Sequence, residues 1–536
     1  MPKVTITTPR WVVLVYFFGM LLGFFYEPFG LITLGWICWY QRVRINNTVH
    51  KLIDGILSWV PTDRPLWAWL PVLAIALMVA TKGGFSPLDD LSRHIGAYQH
   101  SFDYRNHFLY SQIVQSVTLS PWFGFEWAVG HIHHTILTGL TSAFKDWIPL
   151  NQQIAALTIT HFLVELLAFG MFVWVFMPIF RHAFQHHPMP NAMTGIALGL
   201  LIGLGLGLRL QQGRPEVFLM LAMFSVWRLP PRVWIILMMV LQPLYWLAWL
   251  YSVGAVLITS WRWLQKTIAV VLILSAYTLF WHYYCGLEAV GHFFYITSQA
   301  LKIRIVHAGE NQPILASMLS VWGALWVFLI VMALYQWGQG KLRAQERQII
   351  IVMSVFWLLL NQARYNLYSL PYLAYLWAHQ SPDNPLLKKL YSDYRIRAGI
   401  LGLLVAVSIF CAKQLPIEGF SNRLPAFKTL TNQARVLTYF NASTFILPTL
   451  YPGLKVSPPM EIGFTDMALQ KFLKDSFEYR GLARAFNCDI LKKNFSQFTH
   501  IVDARDDALL PNTSPACLQF KETAGGWNLW EIKYTK

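Results

Sequence analysis

Residues 86–100 read "SPLDDLSRHIGAYQH" and hold adjacent carboxylates, Asp89 and Asp90, followed by Arg93, His94 and His100. On a helix, four-residue spacing sets Asp89 against Arg93 and Asp90 against His94. Exposed pairs of that kind contribute only ~0–1 kcal/mol, too little to explain the cluster. Two neighbouring carboxylates repel unless they share a metal ion, a basic side chain or a proton. A carboxylate within reach of a hydroxyl can also act as a general base. Ser86, Pro87 and Asp89 have the form of a capping box with proline at the first helical position. That accounts for Asp89 as a helix start and leaves Asp90 for chemistry.

Histidines form a second group. "GHIHH" at 130–134 contains His131 and His133, whose imidazoles suit a divalent metal beside Asp89 and Asp90. "HAFQHH" at 182–187 suits a contact with lipid headgroups. The two clusters are faintly similar to the histidine boxes of membrane di-iron desaturases. Their spacing differs from those boxes, and the topology below puts them on opposite faces of the membrane. Glu126 and Glu165 are candidate second acids. Glu165 is the more unusual, because it falls within an apolar run where an ionisable group is costly. Asp103 and Asp146 read as ordinary loop acids.

These residues are set among apolar elements. The chain has 536 residues, 55% hydrophobic and 15% aromatic, with only 13% charged. Soluble domains carry about 25% charged residues. The deficit lies before about residue 414. Runs such as 155–180 and 317–337 reach the roughly 20 apolar residues that cross a bilayer. The expected fold is an α-helical polytopic membrane protein of about 11–13 transmembrane helices. The formal charge of +16 fits basic cytoplasmic loops and excludes a nucleic-acid partner as its cause. Basic connectors at 41–51, 341–347 and 388–397 are placed in the cytoplasm, so the run at 66–81 leads outward to Asp89 and Asp90. Residues 82–154 then form a long outer loop with aromatic-rich amphipathic segments, and loops this long are usually functional. Residues 217–227 are short for a crossing, and 233–259 are one long helix or a hairpin turning at Pro243.

The division expected is a transmembrane catalytic domain over 1–414 and a small soluble domain over 415–536, outside the membrane. Strand-like runs at 434–440, 499–504 and 527–533 alternate with helical patterns, which points to an α/β unit. "ETAGGWNLWEI" reads as a Gly-Gly hairpin. Cys488 and Cys517 pair if this domain faces an oxidising compartment.

An acidic motif opening the first long outer loop, a multi-span core and a small outer α/β domain together resemble the GT-C glycosyltransferases. "DDLSRHI" is similar to that superfamily's D-D or D-E-x-R motif, and aligning it on the arginine or on the acids selects Asp90 or Asp89 in turn. "QARYNLYSLPYLAYL" at 362–376 looks like its R-Y-x-L-P segment, which carries Arg364 and Tyr365. "QQGRPEVF" at 211–218 resembles an R-P motif and carries Arg214.

The resemblance implies transfer of a sugar from a polyprenyl-phosphate donor to a protein or glycan acceptor, on the outer (periplasmic) face of the cytoplasmic membrane. The acidic pair is similar to that of arabinofuranosyltransferases and pilin-modifying enzymes as much as to mannosyl- or aminoarabinose-transferases. Asp89 or Asp90 then takes the acceptor proton, with His94, Tyr365 and Glu126 in support. The departing lipid phosphate needs fixed positive charge, for which Arg364, Arg214, Arg93, Arg304 and Lys302 are candidates. The one cofactor the residues suggest is a divalent metal at the histidines. The alternative is a transporter or flippase for a lipid-linked or anionic substrate. That reading expects ionisable residues within spans and two related halves, and no internal repeat is visible.

Overall fold

The computed structural model describes residues 90–109, 119–186, 214–291, 344–359, 424–438, 441–457, 487–504 and 515–534, with a few more between 334 and 342. The chain separates into two compact units. One comprises Met1–Lys82, Phe172–Leu208 and Gly309–Ile417, and of it α9 (Ala344–Leu359) and the end of α4 are described. The other comprises Gly83–Met171, Arg209–Ala308 and Glu418–Lys536, and holds the described residues discussed as the site. The domain boundary expected near residue 414 falls outside the described residues.

Among the described residues, two helices are long and apolar enough to cross a membrane, over Pro149–Met177 and Trp263–Cys285. They contain the spans expected at 155–180 and 268–281; the first belongs to α4 (Pro149–His186) and the second is α8 (Trp263–Cys285). Both turn large apolar side chains outward, among them Phe162, Leu166 and Leu167 on α4 and Leu264, Val271 and Leu279 on α8. A water-facing helix does not normally expose such a continuous apolar surface. Spans expected at 192–208 and 398–413 lie outside the described residues.

Between these helices the chain is broken by proline. Pro215 opens α5 (Pro215–Phe224), a ten-residue helix that continues as a short 3-10 turn at Ser225–Trp227. Pro231 opens α6 (Pro231–Val240), which ends in a 3-10 turn at Gln242–Leu244, and α7 (Ala248–Leu257) follows. Of the two readings of 233–259, one long helix is therefore not found: the chain breaks at Pro243. Proline cannot continue the helical ladder, and the buried Gln242 holds the turn by donating to the Met238 carbonyl (2.7 Å) and the Ser252 hydroxyl (3.0 Å).

The segment expected as an outer loop contains α1 (Asp90–Gln99), a single turn α2 (Tyr104–His107) and the 21-residue α3 (Phe123–Ala143). The sequence predicts that the helix begun near Ser86 and Pro87 lies on the outer surface. Instead α1 is enclosed: Leu91, Ser92, Arg93, His94, Ile95 and Ala97 are all buried. Close approach is allowed by Gly130 of α3, where an added Cβ would run into the Tyr98 ring. At Gly124 an added Cβ would stand 2.8 Å from the Pro243 carbonyl carbon, so α3 also lies directly on the 243 turn.

The C-terminal part is a five-stranded sheet in the order β2-β1-β3-β5-β4. β1 (Arg435–Thr438), α10 (Asn441–Leu450) and β2 (Lys455–Val456) make a parallel β-α-β unit, and β3 (His500–Ala504) adds in parallel to β1. β4 (Leu518–Ala524) and β5 (Trp527–Ile532) close it antiparallel. Their link is the expected Gly-Gly hairpin. Gly525 (φ 58°) and Gly526 (φ 79°) both take the left-handed backbone that a two-residue turn of this kind demands. α11 (Cys488–Asn494) covers one face, and the Cys488–Cys517 disulfide ties it to the sheet. Leu437, Leu491, Phe495, Phe498, Ile501 and Ile532 pack around that bond, with Leu109 of the outer loop against them.

Candidate functional site

Asp90 is the first described residue of α1, the helix that carries Arg93 and His94. The Arg93 guanidinium lies over the Trp122 ring, 4.2 Å from its centroid. Trp122 in turn stacks on Tyr245, nearly parallel at 6.2 Å. A guanidinium over an indole face keeps its charge while its surroundings are desolvated.

His94 is fully buried between the edges of Phe125 (5.0 Å) and Trp122 (5.6 Å). Its Nδ1 meets Glu126 Oε1 at 3.1 Å, and Glu126 is equally buried. The sequence expectation set Asp90 against His94; the structure gives the imidazole Glu126 of α3, 32 residues on. Burial raises the Glu126 carboxyl from 4.5 to about 8, against the opposing pull of a Ser120 hydrogen bond and the Arg93 charge. At neutral pH the pair therefore retains a proton that a solvated glutamate would release.

Ser92 is held from two sides. Its hydroxyl stands 3.4 Å from Nε2 of the buried His161 on α4, and its carbonyl accepts from the Thr449 hydroxyl of α10 at 2.6 Å. Phe125 continues outward to Phe218 of α5 (5.7 Å). One turn before Phe218, the half-buried Arg214 stands at the N-cap of α5, where backbone N–H groups and the helix dipole favour an anion.

The histidines of "GHIHH" part company on α3. His131 is exposed, donates from Nδ1 to the Trp127 carbonyl (3.1 Å), and lies against the rings of Trp127 and Tyr98. His133 is buried, between Gln153 (3.3 Å) and Thr160 (3.4 Å), and burial lowers it to about 4, so it is neutral at pH 7. Among the described residues no three His, Cys, Asp or Glu side chains gather as a metal-holding group. Glu165 is half-buried within α4, and Asp103 is bound by Arg105 two residues on.

Asp89, Lys302, Arg304, Arg364 and Tyr365 lie outside the described residues, as does the side chain of Asp90. Of the candidates singled out in sequence, Arg93, His94 and Glu126 are brought together, and Arg214 heads the helix that packs beside them. Trp122, Ser92, His161 and Thr449 were not anticipated. Their types are common, and only long-range packing gives them partners.

No protein-family model matches the chain. No curated protein matches it either. Among solved structures, one chain aligned is an Archaeoglobus fulgidus oligosaccharyltransferase tethered with an acceptor peptide containing the NVT sequon via a disulfide bond. The alignment covers 83% of this chain and 70% of that one, at 11% identity and a TM-score of 0.41. Nothing about activity follows from a likeness that slight.

Proposed function

We propose that this chain is a polytopic membrane glycosyltransferase that moves a sugar from a polyprenyl-phosphate donor to an acceptor hydroxyl at the outer face of the cytoplasmic membrane. The observation that carries the reading is the enclosure of α1. The helix that carries Asp90 and, one turn on, Arg93 is buried and fixed by the His94–Glu126 contact, where a merely solvated motif would lie on the surface.

In this reading Asp90 or its neighbour Asp89 takes the acceptor's proton as its oxygen attacks the anomeric carbon. The bond from that carbon to the phosphate oxygen breaks, and the polyprenyl phosphate leaves with the electron pair. Arg214 at the start of α5, with Arg364, Arg304 and Lys302, receives the departing phosphate. Arg93, immobilised on Trp122, adds a fixed positive charge near the acids. Glu126 and His94 keep the helix in place, so the base is delivered without reorganisation. Of the pair His131 and His133, only the exposed His131 would be open to a metal, since His133 is committed to Gln153 and Thr160.

The test is turnover of radiolabelled polyprenyl-phosphoryl sugars, a pentose and a hexose among them, by the full chain in proteoliposomes. Asp89→Ala and Asp90→Ala are assayed beside wild type. Loss of about 100-fold or more in one variant with donor binding retained supports the reading, as expected for removal of a general base. Normal turnover in both variants overturns it. Movement of intact donor across the bilayer without cleavage would instead identify a flippase.

A further inference from the structure

Hydroxyls within the helices of this protein mostly bond to their own backbone. Thr135, Thr138, Thr141, Thr158, Thr160 and Thr267 each donate to the carbonyl four residues earlier, at 2.7–3.0 Å. Thr449, in the last turn of α10, does otherwise. Its hydroxyl leaves its own helix and donates to the carbonyl of Ser92 in α1 at 2.6 Å, and both residues are fully buried. In a regular helix the Ser92 carbonyl already accepts from the amide of Gly96, and a carbonyl has a second lone pair for Thr449. The contact therefore adds a tether to α1 without breaking its ladder.

Among the described residues the C-terminal sheet also meets the segment just after α2. Leu109 N–H donates to the Val456 carbonyl (2.8 Å), which extends the sheet beyond β2. Phe108 pairs in parallel with Val456 at the same place. Ser92 lies two residues after Asp90 and one before Arg93, so a grip on its carbonyl fixes the rise and rotation of both.

We propose that Thr449 is a positioning residue for the acidic motif, so that the C-terminal domain sets the geometry of the reaction centre as well as flanking it. The proposal rests on the glycosyltransferase reading for its activity readout, and on hydrogen exchange for its structural one. Thr449→Val removes the donor while keeping the shape, and Thr449→Ser keeps the donor.

With the full chain in detergent, exchange over 90–99 is expected to quicken about tenfold in Thr449→Val, in keeping with one lost buried hydrogen bond. Exchange in β3 and β5 should be unchanged. Turnover with a labelled polyprenyl-phosphoryl sugar should fall in kcat by about 10- to 100-fold, the effect of a misplaced reacting group. KM for the donor should hold, and Thr449→Ser should restore both measures.

Unchanged exchange over 90–99 in Thr449→Val overturns the proposal, as does an equal loss in Thr449→Ser. The serine variant keeps the test decisive if the valine variant does not fold. Should wild type fail to turn over any donor, the functional reading falls, and exchange over 90–99 still decides whether Thr449 anchors the helix.

Discussion

Replacing Glu126 by glutamine imitates its protonated form and removes its titration. In the folded protein the carboxyl titrates at about 8, because it is fully buried away from water. Arg93, His94 and Ser120 face it. Unfolded, it titrates near its ordinary 4.5. Below pH 4.5 both states hold the proton and its contribution to stability is fully present. Between 4.5 and about 8 only the folded state holds it, so stability declines as pH rises. At about 1.4 kcal/mol per pH unit the decline reaches about 5 kcal/mol, an upper figure for a group without access to water. The assay is thermal unfolding of the purified protein, followed by tryptophan fluorescence from pH 5 to 9. Glu126→Gln should melt close to wild type near pH 5 and increasingly above it as pH rises, with the gap levelling off past pH 8. A gap that stays constant across the range, or narrows with rising pH, refutes the reasoning that burial holds the proton on this pair.

Two further outcomes are expected. Gly124→Ala sets a methyl 2.8 Å from the Pro243 carbonyl carbon and 3.0 Å from the Leu244 nitrogen, backbone atoms that cannot swing aside. A loss of about 1–3 kcal/mol follows from overpacking, measured as a lower melting temperature; an unchanged one would show that the α3 and 243 contact is looser than described. Reducing the disulfide, or Cys488→Ser, opens a loop of 29 residues closed within a hydrophobic cluster. The chain-entropy estimate is about 3–4 kcal/mol. Limited proteolysis of the 424–534 region should therefore accelerate on reduction, and equal cleavage rates in the two redox states would count against it.

What the sequence determined by itself was local. The apolar runs around 155–180 and 268–281 became helices of spanning length, because hydropathy and length are properties of a segment. The Gly-Gly hairpin followed from turn chemistry, and the alternating strands from a period of two. Cys488 and Cys517 were paired on an expectation about compartment, and the fold brings them together. The acidic helix was legible as a helix, with Arg93 and His94 one turn on.

Tertiary structure decided what those residues meet. Four-residue spacing offers a partner only along one helix, so it set His94 against Asp90 and missed the Glu126 carboxyl on α3. It placed His131 and His133 in one cluster, although their side chains leave α3 towards solvent and core respectively. Nothing in the sequence connects Ser92 with Thr449, which lie 357 residues apart. Their contact exists because a β-α-β unit places the last turn of α10 against α1, and that placement is a consequence of packing, which no local pattern encodes. The same enclosure makes residues 90–99, which the sequence placed on the outer surface, a buried and tethered helix, since burial depends on every element that closes over it.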